Sequence, residues 1–141
     1  MSGLIQGLVG QYVLLNSSGR EQVATDSGVL EAFDGLVIRL RKGDDCLYFP
    51  IYHVHGIMRA AEEVPVDRQP IADGSGLLLR ELIGQEVRIF PTPQVRVWTE
   101  GVLEDADEHV VVLRTKDGSP DGLEHSFYLP LTRIRLIKPN R

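Results

Sequence analysis

The chain has 141 residues, of which 43% are hydrophobic and 25% are charged, and these proportions exclude disorder along its whole length. Twenty acidic and 15 basic residues give a net charge of -5, so a general electrostatic attraction to nucleic acid or to an anionic membrane is not expected. The single cysteine, Cys46, excludes an internal disulfide framework. Because no apolar run approaches the roughly 20 residues that span a bilayer, we expect a cytoplasmic protein without membrane contact.

The chain contains one sequence pattern twice. Leu8–Val13 matches Leu82–Val87, and three further pairs of blocks follow in the same order: Gly28–Glu31 with Gly101–Glu104, Val37–Arg41 with Val110–Arg114, and Tyr48–Ile51 with Tyr128–Leu131. The spacing between matching blocks changes along the chain, as loop insertions would change it. We therefore interpret residues 1–60 and 76–141 as a first and a second repeat, joined by a proline-containing linker at residues 61–75.

Each repeat begins with a short apolar segment, at Leu4–Val9 and at Leu77–Ile83, which predicts one or two helical turns that end at a glycine. Runs of Val, Ile, Leu and Tyr then alternate with Gly, Asp and Asn turn signals, and this pattern predicts five strands in each repeat. In the first repeat the predicted strands cover residues 11–15, 22–33, 36–41, 46–50 and 53–58. In the second repeat they cover residues 85–90, 94–105, 109–114, 126–130 and 132–137.

A few residues mark special points in this pattern. Gly28 and Gly101 lie inside the long second strands, where glycine permits a sharp bend. Pro50 and Pro130 fall between the fourth and fifth strands, because proline cannot donate a hydrogen bond to a ladder. Asp34 is expected to accept hydrogen bonds from the backbone of its own turn. The sequence therefore predicts an all-β fold of two tandem five-stranded small barrels, each preceded by a short helix.

The segment from Gly28 to Leu40, GVLEAFDGLVIRL, resembles a signature of the Sm-like superfamily, and most closely that of the bacterial RNA chaperones of the Hfq family. The second repeat keeps the Gly, Glu and Asp of this segment but has Ala106 in place of the Phe. The resemblance implies SH3-type barrels in which the fourth strand of one barrel pairs with the fifth strand of the next to form a ring. The segment Tyr48–Val54 also resembles the end of an uncharacterised family from spore-forming Gram-positive bacteria.

The resemblance also implies where RNA would bind, and the corresponding residues are largely replaced. Leu36 and His109 occupy the position of a base-stacking aromatic residue, and the pore motif Tyr-Lys-His of the Hfq family is absent from both repeats. Proteins that bind single strands combine cationic side chains with stacking rings. The candidates for binding of single-stranded RNA through a different face are His109, Tyr128, Arg133, Arg135 and Lys138.

The fourth and fifth strands of both repeats are strongly apolar, and this favours assembly. An apolar edge strand without protecting lysines tends to pair with another strand. One pair of edges can be used between the repeats, and the other pair is then left for neighbouring chains. This predicts a homo-oligomer, and a trimer would provide the six barrels of the Hfq ring. The predicted edge residues are Leu47, Phe49, Val54, Ile57, Leu129 and Ile134.

No pattern in the sequence indicates an enzyme or a cofactor. The chain has no Walker loop, no HExxH motif, no dinucleotide fingerprint and no nucleophile elbow. His53 and His55 have a spacing that suits metal ligands, but the pattern fixes no third ligand among Asp34, Asp44, Asp45 and Cys46, so no metal site is predicted. The sequence therefore predicts a non-catalytic assembly or scaffold protein, with binding of single-stranded RNA as the alternative.

Overall fold

The computed structural model describes residues 4–18, 23–59, 77–92, 99–116 and 120–140, so the predicted linker lies outside the described residues. Strands β1 to β5 are Tyr12–Ser18, Val23–Phe33, Val37–Lys42, Asp45–Pro50 and Val54–Arg59. Strands β6 to β10 are Glu86–Pro91, Glu100–Ala106, Val110–Thr115, His125–Pro130 and Ile134–Pro139. Short 3-10 helices η1 to η4 are Gln6–Leu8, Ile51–His53, Leu78–Leu82 and Leu131–Arg133. The fold is all-β, as predicted, and no helix of the described part could cross a membrane.

The described strands form one open antiparallel sheet. Their order is β5-β1-β2-β3-β4-β10-β6-β7-β8-β9, so both repeats arrange their strands in the same sequence, with the fifth strand first and the fourth strand last. The two repeats meet where β4 pairs with β10, with Tyr48 opposite Ile137. Pairing between the fourth strand of one repeat and the fifth strand of the other, which the resemblance implies, is therefore present within the chain.

The two repeats also share their local contacts. Gly10 and Gly84 follow the first 3-10 helix of each repeat with φ angles of 91° and 88°, which favour glycine. Their N–H groups donate to the carbonyl oxygens of Leu30 and Leu103, each at 2.8 Å. The fourth strands, β4 and β9, both end at the prolines predicted to end them. The sequence repeat is thus a repeat of structure as well.

The turn after the second strand is built in the same way in both repeats. The Oδ1 atom of Asp34 accepts hydrogen bonds from the N–H groups of Leu36 and Val37 at 2.8 and 2.7 Å, which confirms the predicted role of this residue. The Oδ1 atom of Asp107 accepts the two corresponding N–H groups of its own turn at 2.7 and 2.9 Å. These backbone donors hold the pKa of Asp107 below its ordinary value.

Gly28 and Gly101 are required by the close approach of the neighbouring strand. A Cβ atom at Gly28 would lie 2.9 Å from the carbonyl carbon of Arg41 and closer still to its oxygen. A Cβ atom at Gly101 would lie 2.9 Å from the Cβ atom of Thr115 and would overlap with the carbonyl oxygen of Arg114. Only glycine fits at these two positions, because the atoms it meets belong mainly to backbone that cannot rotate away.

Two predicted features differ from the structure. The first strand is predicted to end at residue 15, but β1 continues to Ser18 because β2 extends the ladder opposite it. The Thr25 hydroxyl donates to the Asn16 side chain there at 2.9 Å. The helical turns expected before the first strands are 3-10 helices of three and five residues. Residues 94–98 of the predicted second strand of the second repeat lie outside the described residues, and the described strand there begins at Glu100.

The hydrophobic core formed by the described residues consists of two clusters, and each cluster contains side chains from both repeats. Ala32, Val37 and Tyr48 of the first repeat belong to the cluster of the second repeat. Leu136 of β10 belongs to the cluster of the first repeat, and Phe90 packs against that cluster. The repeats therefore share their interior, and the surface between them is mainly hydrophobic.

Candidate assembly interface

The contact between the repeats, called here the inner junction, includes the pairing of β4 with β10 and the packing of η3 beside β3. From the first repeat, Tyr48 lies in this junction with 4% of its surface exposed. Six apolar residues of the second repeat are 0% to 8% exposed here: Leu78, Leu79, Leu82, Leu131, Ile134 and Ile137. The inner junction is thus an apolar interface in which each repeat contributes a different surface.

A polar cluster completes the inner junction. The carboxylate of Glu81, in η3, accepts hydrogen bonds from the Tyr48 hydroxyl and, at 2.7 Å, from the Arg39 guanidinium. Arg39 also contacts Glu31 at 3.2 Å. Burial raises the pKa of Tyr48 above its ordinary value, and the hydrogen bond to Glu81 raises it further, so the hydroxyl remains a donor. Glu81 therefore ties the second repeat to two side chains of the first.

Asp34 forms a second polar link across the inner junction. Its Oδ1 atom is used within its own turn, and its Oδ2 atom accepts the N–H of Leu78 at 2.7 Å. Leu78 begins η3, where the first N–H groups have no partner inside the helix. The carboxylate of the first repeat thus caps the helix of the second.

We expect replacement of Glu81 by alanine to lower the free energy of unfolding by about 1–3 kcal/mol, because the buried Tyr48 hydroxyl loses its acceptor. The additional change Tyr48→Phe should recover part of this loss, since no unpaired hydroxyl then remains. Urea unfolding of the wild type, both single variants and the double variant measures the coupling between the two residues. Strictly additive effects would contradict a stabilising role for this hydrogen bond.

The outer strand β5 is the counterpart of β10, and it carries an uncovered groove, called here the β5 groove. The apolar residues lining it are Leu4, Ile5, Leu8, Ile51, Val54 and Ile57. In the alignment of the repeats, these six residues are the counterparts of the six that are buried in the inner junction. Leu4 is 95% exposed and the other five are half-buried. The β5 groove thus matches the surface that the second repeat buries against the first, but within the described part of the chain no other repeat covers it.

The outer strand β9 is the counterpart of β4, and it carries the other uncovered groove, called here the β9 groove. Residues lining it include Glu104, Asp105, Asp107, Val110, Val112 and Tyr128. Tyr128 corresponds to Tyr48, but 69% of its surface is exposed. Asp105 corresponds to Ala32, which is buried in the inner junction, and the Asp105 side chain is 62% exposed. Both halves of the inner junction therefore have uncovered counterparts, one at each end of the sheet.

The predicted edge residues divide between the two kinds of strand. Three of them lie on the outer strands: Val54, Ile57 and Leu129. The other three lie on strands that pair with each other inside the chain: Leu47, Phe49 and Ile134. Sequence reasoning did not select Glu81 or Asp107 for the interface. A position-by-position comparison of the two repeats could have pointed to the interface, because it places the tyrosines of β4 and β9 at matching positions.

Three of the residues predicted to bind RNA are exposed. His109 lies in the turn between β7 and β8, where its carbonyl oxygen accepts the N–H of Leu131 at 2.9 Å. Tyr128 lies on β9, in the β9 groove. Arg133 lies at the end of η4. These three side chains belong to three different elements of the second repeat.

The other two predicted RNA-binding residues contact the first repeat. The Arg135 guanidinium lies 5.6 Å from the centre of the Phe90 ring and donates to the Ser17 hydroxyl at 3.3 Å. Burial lowers the pKa of Arg135 from its ordinary value. Lys138 forms an ion pair with Asp45 at 3.5 Å. Both cationic side chains therefore contact residues of the first repeat where the two repeats meet.

The histidines considered as metal ligands are also placed by the fold. The imidazole of His53, in η2, contacts the carbonyl oxygen of Thr132 in η4, across the two repeats. His55 lies on β5 and lines the β5 groove. Within the ranges that the structure describes, no group of three or more His, Cys, Asp or Glu side chains is arranged to hold a metal ion.

Comparison of the chain with protein-family models, with curated proteins and with solved structures finds no significant match. Membership of the Sm-like superfamily therefore stays a prediction from the sequence. The functional argument depends on the inner junction and on its two uncovered counterparts.

Proposed function

We propose that this chain is a non-catalytic assembly protein, built from two Sm-like barrel units, whose outer strands pair with those of neighbouring copies. The observation that supports this proposal best is the inner junction, in which a fourth strand and a fifth strand already pair between the repeats. The two edges of the sheet are the fifth strand of the first repeat, β5, and the fourth strand of the second repeat, β9. A β9–β5 ladder between two copies would satisfy the backbone groups of both edges.

The register of the proposed ladder follows from the inner junction. Tyr48 lies opposite Ile137 there, and the counterparts of these residues are Tyr128 and Ile57. The same register between two copies places Tyr128 opposite Ile57 of the next chain. The exposed tyrosine ring would then cover half-buried aliphatic side chains of the β5 groove, a contact that removes apolar surface from water.

Each chain offers two different surfaces, so the contact between copies is head-to-tail, and such contacts close into a ring when the rotation permits. Three chains supply the six units of the ring that the Sm-like resemblance implies. Size-exclusion chromatography with light scattering at micromolar concentration tests the proposal. We expect three times the 15.7 kDa mass of the chain, and a stable monomer would refute the proposal.

We expect Tyr128→Glu to weaken assembly at least tenfold, because the contact would bury a carboxylate opposite Ile57 in a groove that Glu104 and Asp105 already line. The stability of a single chain should change little, since Tyr128 is exposed. Leu123→Glu is the matched control, because Leu123 is also an exposed apolar residue of the second repeat but lies outside both grooves. Light scattering over a dilution series compares the variants, and equal assembly of the two would contradict the proposed interface.

Binding of single-stranded RNA stays a prediction from the sequence. Two of its three candidate cations, Arg135 and Lys138, have partners in the first repeat, and the exposed Arg133 alone does not favour this function over assembly. Fluorescence anisotropy with a labelled single-stranded RNA, measured at two salt concentrations, tests it directly.

A further inference from the structure

The β9 groove has features that suit one particular segment of a neighbouring copy. We propose that Asp107 caps the Leu4–Leu8 segment of a second copy of this chain and thereby seats η1 of that copy in the β9 groove. This inference rests on the proposed assembly, and it identifies which segment docks and which side chain receives it.

The inner junction provides the template for this contact. Asp34 uses one carboxylate oxygen within its own turn and the other to accept the N–H of Leu78, at 2.7 Å. Leu78 and the two other apolar residues of η3 are then buried beside the first repeat. Capping by Asp34 and burial of the helix therefore occur together.

Asp107 occupies the same kind of turn as Asp34, but only one of its two carboxylate oxygens accepts hydrogen bonds within the described residues. Its Oδ1 atom accepts the two N–H groups of its own turn. Within the described residues its Oδ2 atom makes no hydrogen bond, whereas the corresponding atom of Asp34 binds the next repeat. The counterpart of Leu78 is Leu4, which precedes η1 and is almost fully exposed. The unused acceptor and the uncovered segment thus occupy matching positions at opposite ends of the sheet.

The charges of the two junctions support this choice of segment. In the inner junction Glu81 of η3 pairs with Arg39. Their counterparts are Gly7 in η1 and Val112 in the β9 groove, so both charges are absent together and docking of η1 leaves neither one unpaired. Docking of η3 in the β9 groove would instead place Glu81 beside the acidic Glu104 without its arginine. The charges in the β9 groove therefore favour docking of η1 over docking of η3.

The decisive variant is Asp107→Asn. An asparagine oxygen still accepts the N–H groups of the turn, but its amide nitrogen cannot accept the N–H of Leu4. We expect the dissociation constant between chains, measured by sedimentation velocity over a dilution series, to rise roughly tenfold. Asp44→Asn is the control, because it makes the same charge change on an exposed turn outside both grooves.

A second pair of variants tests the same hydrogen bond from the docking segment. Leu4→Pro removes the N–H that Asp107 would accept, and proline is tolerated just before a helix. Leu4→Ala removes the side chain and keeps the N–H. We expect Leu4→Pro to weaken assembly more than Leu4→Ala, and Asp107→Asn to add little once the proline is present.

The outcomes separate this inference from the proposed function. Weaker assembly of Asp107→Asn and of Leu4→Pro, with normal assembly of Asp44→Asn, supports the inference. If the wild type assembles and both test variants assemble equally well, the inference is wrong and the proposed function stands. A monomeric wild type overturns both. The urea midpoint of each variant is measured alongside, and Leu4→Pro keeps the test decisive if Asp107→Asn unfolds, because Leu4 is exposed.

Discussion

Replacement of Gly28 by valine is expected to lower the free energy of unfolding by about 3 kcal/mol or more. The new side chain would overlap with the backbone carbonyl group of Arg41, which belongs to the β2–β3 ladder. A flexible side chain could move aside, but the strand can move only by breaking ladder hydrogen bonds. Urea unfolding at a fixed protein concentration measures the loss, and Gly101→Val should produce a similar one in the second repeat.

The control for this experiment is Gly56→Val. Gly56 also lies within a strand, β5, but a Cβ atom placed there meets no atom within 4 Å. Valine suits a strand, so the stability of the single chain should stay nearly unchanged when it is measured at a protein concentration too low for the proposed assembly through β5. Equal stabilities of Gly28→Val and the wild type would refute the claim that the approach of β3 requires glycine.

Separation of the repeats by a cut near Asp67 is expected to leave two fragments that do not fold cooperatively on their own. Ala32 and Tyr48 lose the apolar cluster that buries them, and Leu136 leaves the core of the first repeat. Each fragment also has only about 60 to 75 residues, a size at which a single core is marginal. Circular dichroism and urea unfolding of the separate fragments provide the measurement.

The control for the cut is a full chain with a flexible Gly/Ser insertion at the same position. This chain keeps the covalent link and should unfold cooperatively, because a longer loop costs little entropy. Mixing the two fragments should restore the β4–β10 ladder and part of the lost stability. Two fragments that each unfold cooperatively when alone would contradict the shared core.

The strands could be predicted from the sequence because their signals are local. Alternation of apolar residues with turn residues located the strands to within a few residues, and the matching positions of Gly28 and Gly101 marked the crowded points of both repeats. The sequence places the end of β1 too early, because Asn16 and its neighbours favour turns in isolation. In the protein, the opposite strand supplies hydrogen-bond partners for their backbone groups.

The interface was less accessible to sequence reasoning, because its partners are distant in the chain. Nothing near Glu81 indicates that it accepts the hydroxyl of Tyr48, which lies in the other repeat. The sequence suggests Tyr128 as an RNA-binding residue, because exposed and interfacial tyrosines look alike in a sequence. Its buried counterpart gives the alternative interpretation, and that comparison requires the fold.

The position of β10 has a consequence for synthesis of the protein. This strand follows the other nine described strands in the chain, yet it lies between β4 and β6 in the sheet. While the ribosome still holds β10, the nascent first repeat exposes the β4 edge and the ring of Tyr48 to solvent. The two repeats can merge only after translation has passed residue 139, so messages truncated before β10 should yield aggregating products.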